Sequence, residues 1–435
     1  MQPNEIKERI FVLVKQYYNK TFKNKVTSIV PVSGKKFDEQ ELISGIDAVL
    51  DGWWTEGKVS KEFEKKFNQL LNVKHTIIVN SGSSANFLAL KALTSKKLGD
   101  KRLLKGDEII TVAAGFPTTI NPILDCCCIP VFCDIDLETY NINIEQLKKA
   151  VSSKTKAIFL GHTLGNPFNL EEIQKICSNH NLWLIEDTCD ALGSKYKDKY
   201  VGTFGDLGTF SFYPAHQITM GEGGVIVTNN DDLKKIIRNM RDWGRDCWCD
   251  TGKDNSCGKR FKWKMGNLPY GYDHKYIYSE IGYNLKNTDL NVAIGLAQLN
   301  KITEFIKQRR ENFNLLLKEL KRFENFFYFP KATKHSVPCW FGFMITLKPN
   351  VSFSRLDLLK YLDRNKIGTR LLFGGNITKQ PYFINNNIKY RAAGALKNTD
   401  YVMNNAFWIG VCPLISKDKI NFVVQTFNSF LSNYS

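Results

Sequence analysis

The chain has 435 residues, 43% of them hydrophobic and 12% aromatic, which excludes global disorder and allows roughly two or three domains of about 150 residues. Lys and Arg number 60 against 43 Asp and Glu, a net charge of +17, so anionic partners are favoured: nucleic acid, a membrane surface, nucleotide-linked substrates or an acidic protein. Eleven cysteines, an odd and scattered set, argue against a disulfide framework.

Residues 1–35 read as a helical appendage. Their apolar run, Ile10 to Val14, is too short for a signal sequence. No stretch approaches the roughly 18 apolar residues of a membrane span, so none is predicted. A reducing cytoplasm is the expected setting, and there spaced thiols bind metal more readily than each other. From about residue 70, short β-branched runs alternate with helical stretches: HTIIVN (75–80), DEIITVA (107–113), IPVFCDI (129–135), KAIFLG (156–161), LWLIED (182–187), TFSFY (209–213) and GVIVTN (224–229). That alternation predicts an α/β architecture with a largely parallel sheet, whose ligands gather beyond the carboxyl ends of the strands. The large domain is expected over residues 36–300, including an aperiodic loop at 230–282 rich in Lys, Arg, Trp, Gly and Cys. Long helical patterns after about residue 300 predict a smaller domain over 301–435.

Three features fall at predicted strand ends. Asn80-Ser81-Gly82-Ser83-Ser84-Ala85-Asn86 opens a helix, where free N–H groups and the dipole favour a phosphate; a plain serine cap is the alternative. Asp187 ends LIED, where a carboxylate can pair with a protonated pyridine nitrogen or simply cap a turn. The third is Ser211 to Gly224, SFYPAHQITMGEGG.

Together with LIEDTCDALGS and GYNLKNTDLNVAIGLAQL (282–299), these stretches resemble, in order, the motifs of the DegT/DnrJ/EryC1/StrS sugar aminotransferase family over about residues 40–435. The resemblance implies a fold-type-I aminotransferase architecture: a large domain with a mostly parallel mixed sheet between helices, plus a smaller C-terminal α/β domain. It also implies a homodimer with shared active sites. In that family a lysine five residues after the serine holds the cofactor covalently. Here that residue is His216, and no lysine occurs between Lys199 and Lys234. The implied cofactor is therefore non-covalent pyridoxamine 5′-phosphate (PMP, related to PLP), with His216 moving a proton at its C4′ carbon, since imidazole titrates near neutrality. The replacement resembles the sugar 3-dehydratase branch, whose members remove the C3 hydroxyl of a nucleotide-linked 4-keto-6-deoxyhexose.

Matched motif positions imply the remaining roles. Phe116 stacks on the pyridine ring, Asp187 meets its nitrogen, and Gly82, Ser83, Ser84 and Ser211 lie at the phosphate. Asn284 reaches a phosphate in the neighbouring subunit, and Asp190 replaces a family glutamine near the ring hydroxyl. Arg370 and Asn376 are placed either to meet the nucleotide sugar or to link a helix and a strand.

Cys189, Cys247, Cys249 and Cys257 form a C-x57-C-x-C-x7-C pattern. Four thiolates hold an iron–sulfur cluster or a tetrahedral zinc. The stretch RDCWCDTGKDNSCGKR is too polar for a core strand. The spacing resembles that of the CDP-4-keto-6-deoxyglucose 3-dehydratases, which implies a 2Fe–2S cluster on these four residues, an NAD(P)H-dependent flavin/iron–sulfur reductase as electron donor, and 3,6-dideoxysugars of lipopolysaccharide O-antigen as products. Structural zinc, a dTDP-linked substrate, a cluster-free dehydratase and an ordinary sugar aminotransferase stay open. So does, from another class, an iron–sulfur nucleic-acid-binding protein. The other seven cysteines read as packing. The cations in and beside the loop, Arg241 among them, read as a docking face for an acidic reductase or as a lysine-rich surface.

Overall fold

The seven β-branched runs become seven strands of one sheet in a computed structural model that describes residues 1–23, 27–249 and 251–434. Residues 24–26 of the expected appendage and residue 250 of the cysteine loop lie outside the described residues. The strands are β1 (His75–Val79), β2 (Glu108–Val112), β3 (Ile129–Cys133), β4 (Thr155–Gly161), β5 (Trp183–Asp187), β6 (Leu207–Ser211) and β7 (Gly224–Thr228). Their spatial order is β1-β7-β6-β5-β4-β2-β3, with the short strand Arg391–Ala392 outside β3. Strands β2 to β6 run parallel. Only β7 reverses, pairing antiparallel with both β1 and β6. Strands β2, β6 and β7 are buried at every residue, as a sheet covered on both faces requires.

Helices supply the cover. They are α1 (Pro3–Thr21), α2 (Glu39–Leu50), α3 (Lys58–Leu71), α4 (Gly82–Ala92), α5 (Pro117–Asp125), α6 (Ile144–Ala150), α7 (Leu170–His180), α8 (Asp231–Arg241), α9 (Asp289–Leu299) and α10 (Ile302–Leu320). Helix α1 buries none of its residues and leans on α2, with Tyr18 donating to the Phe37 carbonyl at 3.1 Å. Val30 departs from the appendage reading, because it pairs with Ile367 and joins the C-terminal core.

That core surrounds a four-stranded antiparallel sheet of β8 (Phe327–Tyr328), β9 (Gly342–Leu347), β10 (Thr369–Arg370) and β11 (Ala406–Gly410), in the order β8-β9-β11-β10. Phe313, Phe343, Phe407 and Phe427 fill it, drawn from α10, the strands and the last helix, Lys417–Leu431. No helix among the described residues is long and apolar enough to cross a membrane. Between α8 and α9 the described chain forms a single short helical turn, His274–Tyr276, and the bridges Asp242–Asn284 and Arg245–Tyr278.

Candidate active site and cysteine loop

A cavity of about 660 Å³ opens at the carboxyl ends of β4, β5 and β6, against the N-terminus of α4. Gly82, Ser83, Phe116, Asp187, Asp190, Ser211 and His216 all line it, although they come from four separate stretches of chain. No lysine lines it among the described residues.

One end is built for an anion. Ser81 caps α4, its hydroxyl accepting from the Ser84 N–H at 3.0 Å. The neighbouring N–H groups are left facing outward at the positive end of the helix dipole. Gly82 is required there, because a Cβ would stand 2.3 Å from the Ser211 Cβ. Only glycine lets α4 and β6 bring Ser83 and Ser211 to one place. Ser84 lies outside the cavity lining, within the cap hydrogen bonds.

The floor is acidic. Asp187 Oδ2 accepts from Asn86 Nδ2 and from Thr119 Oγ1, both at 2.7 Å, and Oδ1 accepts from the Cys189 N–H at 3.1 Å. Thr209 in turn donates to Asn86 Oδ1 at 2.5 Å. Two side-chain donors on one oxygen fix the carboxylate plane and leave Oδ1 room for a further N–H. Glu186, one residue earlier, faces the opposite side of the sheet. There it accepts from the N–H groups of Gly202, Phe204 and Gly205, with His162 Nε2 at 3.0 Å. Asn86, Thr119 and Thr209 around Asp187, and His162 beside Glu186, had no signal of their own in the sequence; the strand–helix order was the only lead.

The imidazole of His216 sits on the wall. Its Nε2 lies 3.4 Å from Asp190 Oδ1, its ring 5.3 Å from that of Phe341, and its Nδ1 is buried without a hydrogen-bond partner. Burial pushes the Asp190 carboxyl up, against the opposing pull of His216. Beneath the turn, the fully buried Arg309 of α10 donates to the His216 carbonyl at 3.0 Å and to the Ala215 carbonyl at 3.4 Å. Phe116 stands half-exposed at the mouth, edge-on to Phe373 at 5.9 Å.

These groups fit a phosphorylated pyridine. An anion cradle, a carboxylate with a free acceptor site, an aromatic face and an unpartnered imidazole nitrogen are present in one space. Arg370 and Leu371 line the outer part, where a larger substrate group can enter. Asn376 does not: it is buried, donating to Asp400 Oδ1 at 2.8 Å and accepting from the Thr378 N–H, so the structural alternative holds. Asn284 is also outside this cavity, its side-chain oxygen accepting from Lys286 Nζ at 2.7 Å.

Among the described residues the four cysteines do not line a single cavity. Cys247, Cys249 and Cys257 line one small cavity in the loop, while Cys189 lies in the wall of the large one. The physical reason is the anchorage of each. Cys189 follows β5 directly, and its N–H is bound to Asp187. Asp246, next to Cys247 in the loop, pairs with Lys97 at 3.2 Å and with His274 at 3.1 Å. Among the described residues no three His, Cys, Asp or Glu side chains stand at metal-ligand geometry. Burial and the Asp187 charge push the Cys189 thiol up. Cys249 is the exception among the thiols: burial would raise it, but hydrogen bonds from Ser256, the Cys257 backbone and the neighbouring thiols bring it to about 7. Arg241, read above among the surface cations, is fully buried and donates to both Glu56 oxygens at 2.7 Å.

A family model for the DegT/DnrJ/EryC1/StrS aminotransferases matches residues 36–428. The chain belongs to that family. Within it, the chain is 53% identical over 434 residues to the lipopolysaccharide biosynthesis protein RfbH of Salmonella typhimurium, covering 99% of each. It is 48% identical over 435 residues to the dTDP-4-dehydro-2,6-dideoxy-D-glucose 3-dehydratase of Saccharopolyspora spinosa, covering 99% of this chain and 93% of that one. Among solved structures, the Escherichia coli GDP-4-keto-6-deoxy-D-mannose-3-dehydratase with bound hydrated PLP superposes with a TM-score of 0.81 at 30% identity, over 91% of this chain and 98% of that one. The DegT/DnrJ/EryC1/StrS fold of this chain is thus fold-type-I, as its motifs implied.

Proposed function

We propose that the chain is a PMP-dependent nucleotide-sugar 3-dehydratase, which removes the C3 hydroxyl of a nucleotide-linked 4-keto-6-deoxyhexose. The observation that carries this reading is His216: it stands where the family resemblance expects a lysine, in a cavity lined by no lysine among the described residues. When bound, PMP supplies an amine for the sugar ketone and a ring that accepts electron density. The chain's own groups orient and protect that chemistry. Asp187 Oδ1 accepts from the ring nitrogen. Ser83, Ser211 and the N–H groups at the start of α4 hold the phosphate, and Phe116 covers a ring face. His216 takes the proton at C4′, with Asp190 holding the imidazole.

We further propose CDP as the nucleotide and O-antigen 3,6-dideoxysugars as the destination; the 53% identical relative is named for lipopolysaccharide biosynthesis. A dTDP-linked 2,6-dideoxyhexose is the second reading, favoured by the 48% identical relative. Complete deoxygenation takes two electrons. We propose an NAD(P)H-dependent flavin/iron–sulfur reductase as their source, with a 2Fe–2S centre on the cysteine loop. A cytoplasmic homodimer, with Asn284 serving the neighbouring active site, completes the reading.

The test is incubation of PMP-loaded protein with CDP- and dTDP-linked 4-keto-6-deoxyhexoses and a low-potential reductant, with products read by mass spectrometry. Loss of the C3 oxygen without gain of nitrogen is expected. Accumulation of an amino sugar would overturn the reading in favour of a transaminase. Iron and acid-labile sulfide analysis of anaerobically purified protein tests the cluster separately.

A further inference from the structure

The turn that carries His216 has little main-chain support. It lies between the end of β6 at Ser211 and the start of β7 at Gly224, outside any helix or strand. The His216 N–H donates to the Tyr213 carbonyl at 3.0 Å, which closes the turn. Among the described residues no main-chain N–H reaches the carbonyls of Ala215 or His216.

One side chain takes both of those carbonyls. Arg309 of α10 is 1% exposed, and its Nη2 donates to the His216 carbonyl at 3.0 Å and to the Ala215 carbonyl at 3.4 Å. Its Nη1 donates in the other direction, to the carbonyls of Trp340 at 3.4 Å and Phe341 at 3.5 Å. That second stretch is itself anchored. The Cys339 N–H donates to Ser194 Oγ at 2.7 Å, and the Phe341 N–H to the Leu164 carbonyl at 2.8 Å. The Phe341 ring then lies 5.3 Å from the His216 ring and 5.8 Å from the guanidinium carbon. A planar fork with donors on both sides can join a loose turn to a fixed stretch; an ammonium, a single point, cannot span the two.

Stability alone does not favour this arrangement. A buried cation is costly, and a carboxylate partner offsets the cost best. Arg241 has such a partner in Glu56, whereas the hydrogen-bond partners of Arg309 are main-chain carbonyls. Its charge bears on the site as well. Burial pushes the Asp190 carboxyl up, and Arg309 is among the cations that oppose this, on the acid 3.4 Å from His216 Nε2. Arg310, the next residue, supplies a contrast. It donates to the carbonyls of Pro338 and Gly193 at 3.0 Å and Val337 at 3.3 Å, and its hydrogen bonds do not include the His216 turn.

We propose that Arg309 is a positioning residue for proton transfer at C4′: its guanidinium holds the main chain at 215–216, so that the His216 imidazole keeps one orientation toward the bound cofactor. The inference rests on the reading of His216 as the group that moves this proton, and adds the residue that aims it.

The experiment compares wild type with Arg309→Met, Arg309→Lys and Arg310→Met. Amide hydrogen exchange of the cofactor-free proteins, read by mass spectrometry on peptides covering 212–220, reports the turn directly. Absorbance reports PMP affinity, and deuterium exchange reports the C4′ hydrogen. Arg309→Met should speed amide exchange across 212–220, leave PMP bound, and slow C4′ exchange by roughly 10²-fold, the effect of a small misplacement. Arg309→Lys should behave similarly, because it keeps the charge and loses the fork; it also carries the test if the methionine variant does not fold. Arg310→Met should leave the turn and C4′ exchange at wild-type values. Equal effects of the Arg309 and Arg310 variants would overturn the proposal and make both arginines general staples of α10. Wild-type amide exchange in Arg309→Met, or a wild-type C4′ rate in Arg309→Lys, would overturn it too. A wild type that binds no PMP would overturn the dehydratase reading instead, and the amide-exchange contrast would still decide whether Arg309 holds the turn.

Discussion

Asp187 and His274 are both buried and both reached by polar partners, yet the two regions that hold them are built differently. Around Asp187 the partners come from strand ends and helix starts: Asn86 on α4, Thr119 on α5 and Thr209 on β6. Each is fixed by a main-chain ladder before its side chain does anything. Around His274 the partners come from loop residues held mostly by each other, Asp246 by Lys97 and Ser279, and Trp263 by ring stacking. The first region is preorganised. Both regions leave buried nitrogen without a partner, His216 Nδ1 in the first and His274 Nδ1 and Trp263 Nε1 in the second, but only in the first do strand and helix ends fix the neighbouring groups. The lesson is that preorganisation here follows the sheet.

The largest expected effect lies in the preorganised region. His216→Asn should leave PMP bound and slow exchange of the C4′ hydrogen by roughly 10²- to 10⁴-fold, the usual contribution of a positioned acid–base group. Deuterium exchange followed by mass spectrometry checks this, and exchange at the wild-type rate would remove His216 from its role.

His216 was legible because the SFYPAH stretch is local, so a fixed spacing from Ser211 is enough to find it. The strands were legible for the same reason: each is a short β-branched run between turn residues. Asn86 and Thr119 were not, because they meet Asp187 across 101 and 68 residues of chain. Cys189 lies beside Asp187 in the wall of the large cavity, and Cys247, Cys249 and Cys257 line the small one, a separation that spacing along the chain does not reveal. That His274 is buried was not legible either, because the 230–282 stretch has no periodicity from which a buried face could be inferred. Loops fold on tertiary contacts, and single-sequence patterns do not carry those.

Gly82→Ala tests the preorganised side through packing rather than chemistry. A Cβ 2.3 Å from that of Ser211 must separate α4 from β6, at a cost of about 1–3 kcal/mol typical of overpacking. A lower melting temperature together with weaker PMP binding is expected. Unchanged PMP affinity would mean that the cradle does not depend on that contact.

On the loop side, the metal-free protein should show one thiol of unusual reactivity. Cys249 is lowered to about 7, whereas burial raises Cys133 to about 12. Thiolate forms above the folded value, so alkylation of Cys249 should rise as pH passes through about 7 while Cys133 stays inert. Peptide mapping after pulses at pH 6 and pH 8 reads this directly. Loading the site with metal should suppress it, and equal labelling of both thiols would abolish the contrast between the two regions.

The smallest effect belongs to the seam between them. Glu64 of α3 lines a cavity that also takes in Thr251 and Lys253 of the loop. Burial raises its carboxyl from the ordinary 4.5 to about 7, against the opposing pull of Arg241 and Arg238. The folded protein therefore holds this proton more tightly than the unfolded chain does. The corresponding stability is fully present below about 4.5 and is lost as pH rises through about 7. Glu64→Gln keeps a neutral group of the same shape, so its melting temperature should fall less than the parent's between pH 5 and pH 8. Parallel curves for the two proteins would show Glu64 to be solvated and ionised throughout. In that case the seam would behave as surface, and the sheet-bound region would end at α3 rather than extend to the loop.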